Sequence, residues 1–158
     1  MAKKFLGIDI GSTTYKAVVL SEDGEVLEST YQRTQPVDSG RLACTGQCSG
    51  CGRCNMGAVR KTTDTFLEEK GLTYADMAAV VVTGSQIVDD TKRFIPFDFQ
   101  VSEVSAHVAG AKHFYPDVDA IIDCGGQDSK CMVYNPDMQL WTSMMSGVCA
   151  AGTGSYLD

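Results

Sequence analysis

Residues 4–10, KFLGIDI, are mostly apolar and stop at Gly11, which predicts a strand closed by a turn. A second strand is expected over 15–20, where β-branched Val18 and Val19 stand together. Glu22-Asp23-Gly24 is a turn signal, and residues 25–32 run as a third strand, so the chain opens as an antiparallel β-meander. Residues 36–57 are rich in Gly, Cys and small polar side chains and show no period, as a loop or inserted lobe would. Over 58–70 the apolar positions Val59, Phe66 and Leu67, with Gly71 as the stop, predict an amphipathic helix.

A buried, Val-rich strand follows over 78–83 and ends at Gly84. Residues 101–114 read as a second helix, with Ser102 as N-cap, Glu103 in the first turn and Pro116 marking the end. Residues 120–123 then enter Gly125-Gly126, residues 130–134 leave it, and Asn135-Pro136-Asp137 turns the chain into 139–145. Both meanders have an apolar strand ending in Asp, a Gly-bearing turn and a returning strand, which points to a duplicated architecture. The expected fold class is α/β: a first lobe over 1–117 carrying the insertion 36–57, and the start of a second, similar lobe over 118–158.

Composition narrows the functional classes. With 44% hydrophobic residues, the chain of 158 has enough apolar surface for a core. A net charge of -7, with adjacent basic residues only at Lys3-Lys4, Arg60-Lys61 and Lys92-Arg93, argues against nucleic-acid and anionic-membrane binding. Asp9 interrupts the N-terminal apolar run before a signal peptide develops, and no other stretch is long enough to span a membrane. A cytoplasmic setting is expected, where the seven cysteines read as metal ligands or free thiols rather than disulfides.

The two Gly turns carry the candidate chemistry. In Asp9-Ile10-Gly11-Ser12-Thr13-Thr14, the glycine allows close approach of an anion, and hydroxyls and N–H groups supply donors for phosphate oxygens. Asp9 has the position to hold Mg2+ or its waters. Alone, such a segment is equally a hairpin tip. The second segment, Asp123-Cys124-Gly125-Gly126-Gln127-Asp128-Ser129-Lys130, favours a paired nucleotide site. There Asp123 lies near the metal, Gln127 orients an attacking water, and Gly125, Gly126 and Lys130 contact the phosphates. Neither turn fits the P-loop or the dinucleotide fingerprint.

Cys44, Cys48, Cys51 and Cys54 follow C-x3-C-x2-C-x2-C spacing amid glycines, enough thiolates for a [4Fe-4S] cluster or a structural Zn2+ site. The first three share the spacing of radical enzymes that use S-adenosylmethionine, but the alternating strand-helix pattern of that barrel is absent. Cys124 and Cys131 read as core or turn thiols. His107 and His113 read as capping, core-edge or interface histidines, and Trp141 with Met144 and Met145 as a strand-and-core cluster.

The two Asp-Gly segments, Ser102-Glu103-Val104-Ser105-Ala106-His107 and the terminal Cys149-Ala150-Ala151-Gly152-Thr153-Gly154 resemble the activator ATPases of 2-hydroxyacyl-CoA dehydratases and benzoyl-CoA reductases. That resemblance implies the ribonuclease H-like, actin-type ATPase fold, ATP and Mg2+ as cofactors, and a [4Fe-4S] cluster shared across a homodimer. Cys149 would be its ligand in this chain. It further implies a ferredoxin- or flavodoxin-like electron donor and, as partner, an acyl-CoA dehydratase or reductase that receives a low-potential electron. The family's second ligand cysteine and its adenosine-binding glycine motif would follow residue 158, so the chain reads as truncated or complemented by another polypeptide. Ser85-Gln86-Ile87 stands where those activators carry an aromatic-Gly-Arg sequence. The rival readings are a sugar or acyl kinase of the same superfold and a non-enzymatic metal-binding module.

Overall fold

Strand β1 (Lys4–Ile10) buries Leu6, Ile8 and Ile10 on one face and turns Phe5, Gly7 and Asp9 to the other, the alternation that a pleated strand imposes. Strand β2 (Thr14–Ser21) pairs with it antiparallel and continues the buried face with Tyr15, Ala17 and Val19. Strand β3 (Val26–Arg33) adds to β2, while β4 (Met77–Thr83) lies parallel to β1 on its other side and contributes Val80 and Val82. A two-residue strand, β5 (Phe99–Gln100), completes the order β3-β2-β1-β4-β5 among the described residues. The computed structural model describes residues 2–34, 55–87, 89–126 and 128–146.

Helix α1 (Asn55–Glu69) lies in the connection between β3 and β4, as a parallel β1–β4 pair requires of the intervening chain. It begins three residues before the expected start, because Met56 extends the apolar stripe one turn ahead of Val59. Met56, Val59, Phe66 and Leu67 pack with the sheet's buried face and Ile95 in one core. Burying a Phe or Leu of this kind stabilises by about 1.5–3 kcal/mol. The helix stops at Gly71, whose φ of 65° suits an αL cap; Leu72 N–H donates to Leu67 O at 2.8 Å and Gly71 N–H to Glu68 O at 3.0 Å. This pair of bonds is a Schellman closure.

Packing divides the chain into two compact units, Met1–Val101 and Ser102–Asp158. The expected second helix therefore falls with the second meander. Helix α2 (Glu103–Phe114) starts where Ser102 Oγ accepts from Ser105 N–H at 3.1 Å, confirming the N-cap. Val101 is not helical, because its N–H donates to Val82 O at 3.0 Å and so prolongs the sheet of the first unit.

Strands β6 (Ala120–Cys124), β7 (Ser129–Asn135) and β8 (Leu140–Met145) form an antiparallel meander in sequence order. Its face bearing Asp123, Lys130 and Met132 meets α2 through Glu103 and His107, whereas Ile122, Val133 and Met144 on the opposite face are exposed. Trp141 rests at a tilt on Tyr134, with ring centroids 5.8 Å apart, but Met144 and Met145 are both exposed. The expected Trp-Met core cluster does not form, since neighbours along a strand point to opposite faces and β8 is the outer strand.

Candidate functional site

The first candidate turn is held from three sides. Gly11 N–H donates to Thr14 O at 3.0 Å, closing the β1–β2 turn on itself, and a Cβ at Gly11 would lie 2.9 Å from that oxygen. The glycine thus serves close backbone approach, and its own N–H is engaged inside the turn. Thr34 N–H donates to Thr13 O at 2.8 Å and Thr34 Oγ1 to Gly11 O at 3.3 Å, tying the end of β3 to the tip. On the other side Gln86 N–H donates to Ile10 O at 3.0 Å. Gly84, at φ 118°, packs so closely that a Cβ there would stand 2.4 Å from Ile10 O. Any side chain at Gly84 would push the turn away.

Behind the turn, Tyr15 OH lies 2.7 Å from Thr63 Oγ1, and Thr63 Oγ1 donates to Val59 O at 2.9 Å. The threonine's one proton is thereby committed, so Tyr15 is the donor in the first bond. Burial pushes the Tyr15 phenol up to about 12, and the bond to Thr63 only partly offsets it. Helix α1 is in this way bolted to the residue that follows Thr14.

Asp9, Lys16 and Thr83 occupy one cross-strand row, since Asp9 pairs with Lys16 on β2 and with Thr83 on β4. Lys16 Nζ lies 2.8 Å from Asp9 Oδ2, with the lysine side chain 44% exposed. Thr83 Oγ1 is buried without a hydrogen-bond partner among the described residues. Asp9 sits at the carboxyl end of a strand whose parallel neighbour ends beside it, the crevice where open α/β sheets take ligands.

The second turn repeats the first. Asp123 pairs across the β6–β7 hairpin with Lys130, as Asp9 pairs with Lys16, and a Cβ at Gly125 would lie 3.0 Å from Asp128 O, the counterpart of Thr14 O. Here the lysine is only 4% exposed, and its Nζ lies 3.1 Å from Asp128 Oδ2, 3.1 Å from Glu103 Oε2 and 3.8 Å from Asp123 Oδ2. Burial pulls the ammonium's pKa down, but the hydrogen bonds and charges of Asp128 and Glu103 outweigh this and leave it raised. His107 Nδ1 is 3.5 Å from Asp123 Oδ2, buried, and without hydrogen-bond geometry to any described partner.

Beside each aspartate a buried polar atom lacks a hydrogen-bond partner among the described residues: Thr83 Oγ1 of β4 near Asp9 and His107 Nδ1 of α2 near Asp123. Buried polar atoms are normally satisfied, so this pattern, together with hard carboxylate oxygens, fits a hydrated Mg2+ with a phosphate tail. Lys16 and Thr83 had no assigned role in the sequence, where His107 reads as a capping, core-edge or interface histidine. The available signal was spacing, because Lys16 follows Asp9 by the same interval that separates Lys130 from Asp123.

Of the other expected site residues, Ser12, Thr13 and Thr14 are half-buried at the first turn and Gly126 is half-buried at the second. Gln127, Cys149 and the four cysteines Cys44, Cys48, Cys51 and Cys54 lie outside the described residues. Cys124 and Cys131 are free thiols, the first exposed and the second half-buried, so neither is in the core. Among the described residues no group of three or more His, Cys, Asp or Glu is arranged to hold a metal ion, and no helix is long and apolar enough to cross a membrane.

Solved structures share this architecture. The Acidaminococcus fermentans (R)-2-hydroxyglutaryl-CoA dehydratase component A matches 99% of this chain and 52% of its own, with a TM-score of 0.73 and 29% identity. The activator of the 2-hydroxyisocaproyl-CoA dehydratase from Clostridium difficile, with bound ADPNP, matches 100% of this chain and 50% of its own at a TM-score of 0.72 and 29% identity. The ethanolamine utilization protein EutJ from Carboxydothermus hydrogenoformans, at 12% identity and a TM-score of 0.63, shares the fold alone. The architecture is therefore an α/β lobe of the actin-like ATPase type.

The chain belongs to the BadF/BadG/BcrA/BcrD ATPase family, whose model matches residues 6–158. It is 34% identical over 153 residues to the 2-hydroxyisocaproyl-CoA dehydratase activator of Clostridioides difficile, an alignment covering 97% of this chain and 49% of that protein. The (R)-2-hydroxyglutaryl-CoA dehydratase activating ATPase of Acidaminococcus fermentans is 31% identical over 97% of this chain and 50% of its own length. The chain spans about half the length of the curated relatives it matches.

Proposed function

We propose that this chain carries the phosphate-binding turns of an ATP-dependent activator, which passes a low-potential electron through an iron-sulfur cluster to a 2-hydroxyacyl-CoA dehydratase or benzoyl-CoA reductase-like partner. The observation that carries the reading is the repeated hairpin, in which an Asp ends one strand, a Gly closes the turn and a Lys stands directly across. Family membership supplies the reaction class.

In this reading Asp9 and Asp123 each serve the Mg2+ of a bound nucleotide. The N–H and hydroxyl groups of Ser12, Thr13 and Thr14 donate to phosphate oxygens, and Gly11 permits the approach. Gly125 and Gly126 do the same in the second turn, and Gln127 orients the attacking water. Lys16, half-exposed and held by one carboxylate among the described residues, would reach the phosphate tail. Bound Mg2+ would neutralise the phosphate charge as the leaving group departs. Hydrolysis would alter lobe closure and so the presentation of Cys149, the proposed ligand of a [4Fe-4S] cluster shared by a homodimer. Cys44, Cys48, Cys51 and Cys54 would hold a second [4Fe-4S] cluster or Zn2+. A ferredoxin- or flavodoxin-like protein would supply the electron.

The test is ATP-dependent activation of a 2-hydroxyacyl-CoA dehydratase, under anaerobic conditions, by this chain complemented with the second half of a relative. Activation that disappears in Cys149→Ser while ADPNP still binds supports the reading. Undiminished activation by Cys149→Ser removes the cluster assignment. ADPNP binding without any activation favours a kinase of the same fold.

A further inference from the structure

The two hairpins match in backbone and differ in what surrounds their lysines. Lys16 is 44% exposed and has one carboxylate neighbour among the described residues, Asp9. Lys130 is 4% exposed and is enclosed by carboxylates from three places: Glu103 on α2, Asp123 on β6 and Asp128 in the turn. A point-charge ammonium has three donors, and the two shortest contacts here, both 3.1 Å, go to Asp128 and Glu103. A Cβ at Gly125 would meet Asp128 Oδ1 at 3.1 Å and Asp123 Oδ2 at 4.0 Å, so the glycine turn rests against the same carboxylates.

We propose that Lys130 is a positioning residue, a fixed ammonium counter-ion that holds Asp123 in place between α2 and the Gly125 turn, and not a ligand of the phosphate tail. This rests on the proposed nucleotide role of Asp123. Three carboxylates without the ammonium would repel one another, and Asp123 would turn away from the position in which it serves the metal. Of the remaining neighbours, His107 Nδ1 lies 3.5 Å from Asp123 Oδ2, the oxygen that Lys130 Nζ approaches at 3.8 Å. For Lys130, leaving its box for a phosphate would strand three half-buried carboxylates beside one another. The duplicated lysines have thus diverged, with Lys16 turned to the ligand and Lys130 turned to the protein.

The experiment compares wild type with Lys130→Met, Lys130→Arg and the double variant Lys130→Met/Glu103→Gln. Thermal unfolding without ligand should show Lys130→Met melting about 5 °C or more below wild type, with part of the loss recovered when Glu103→Gln removes one stranded charge. Titration of ADPNP at varied Mg2+ should show about a tenfold rise in the Mg2+ concentration needed for half-maximal binding by Lys130→Met. Binding of ADPNP without Mg2+ should be unchanged, and Lys130→Arg should restore most of the Mg2+ response. A lysine that contacts phosphate would give the opposite pattern: weaker Mg-free binding, an unaltered melting temperature and no recovery by Glu103→Gln. That pattern would overturn the proposal. If wild type binds no ADPNP, the nucleotide role of Asp123 fails and this proposal falls with it, while recovery by Glu103→Gln would still establish the counter-ion box.

Discussion

Lys16 Nζ stands 2.8 Å from Asp9 Oδ2, directly across the β1–β2 hairpin, and the lysine is the half-exposed member of the pair. A pair of this exposure contributes at most about 1 kcal/mol to folding. The arrangement instead keeps a cation beside the turn in which Ser12, Thr13 and Thr14 present their donors.

Lys16→Met should therefore separate binding from stability. A charge-assisted contact to phosphate is worth about 1.5–3 kcal/mol, so affinity for Mg-ADPNP should fall about tenfold or more. Urea unfolding should change by no more than about 1 kcal/mol. Unchanged affinity in calorimetric titration would place Lys16 outside the site.

Gly84→Ala should instead lower stability and binding together. The residue's φ of 118° is unfavourable for a side chain, and the added Cβ would meet Ile10 O at 2.4 Å. The backbone conformation alone costs about 1–3 kcal/mol, and relieving the overlap must move the Asp9 turn. Urea unfolding should show the loss, and ADPNP binding should weaken although no ligand contact is removed. A variant with wild-type stability would show that the Gly84–Ile10 contact is not a constraint.

Tyr15 gives the first unit an alkaline limit. Its phenol is raised by burial from 10.0 to about 12, so the folded chain keeps a proton that the unfolded chain releases. This contribution is complete below pH 10 and is lost as pH rises through 12, amounting to roughly 3 kcal/mol at 1.36 kcal/mol per unit. Measured from pH 9 upward, the unfolding free energy of wild type should fall relative to that of Tyr15→Phe, which has no phenol to ionise. Parallel curves would contradict a buried, protonated Tyr15.

Much of this was legible in the sequence, and the reason is local. An apolar run that ends in Asp and then Gly specifies a strand and its turn within a few residues, as at Asp9-Ile10-Gly11 and Asp123-Cys124-Gly125. Ser102 and Glu103 likewise announced the start of α2 at the position where it begins. What remained hidden depends on distant chain. Strand β5 is two residues long and exists only because β4 offers a parallel edge. Helical spacing kept His107 and His113 off one face, but could not say that His107 meets Asp123. The sequence places Lys130 among turn residues, with no sign that Glu103, from another element, comes within 3.1 Å of its ammonium.

Calorimetric titration of the chain with ADPNP, with and without Mg2+, tests the central claim most directly when wild type is compared with Asp9→Asn and Asp123→Asn. Mg2+ should strengthen binding to wild type, and each substitution should lower affinity in Mg2+ about tenfold or more by removing a charged oxygen that holds the metal or its waters. Affinity that is indifferent to Mg2+ and equal in all three proteins would show that the paired Asp-Gly hairpins are structural turns rather than a nucleotide site.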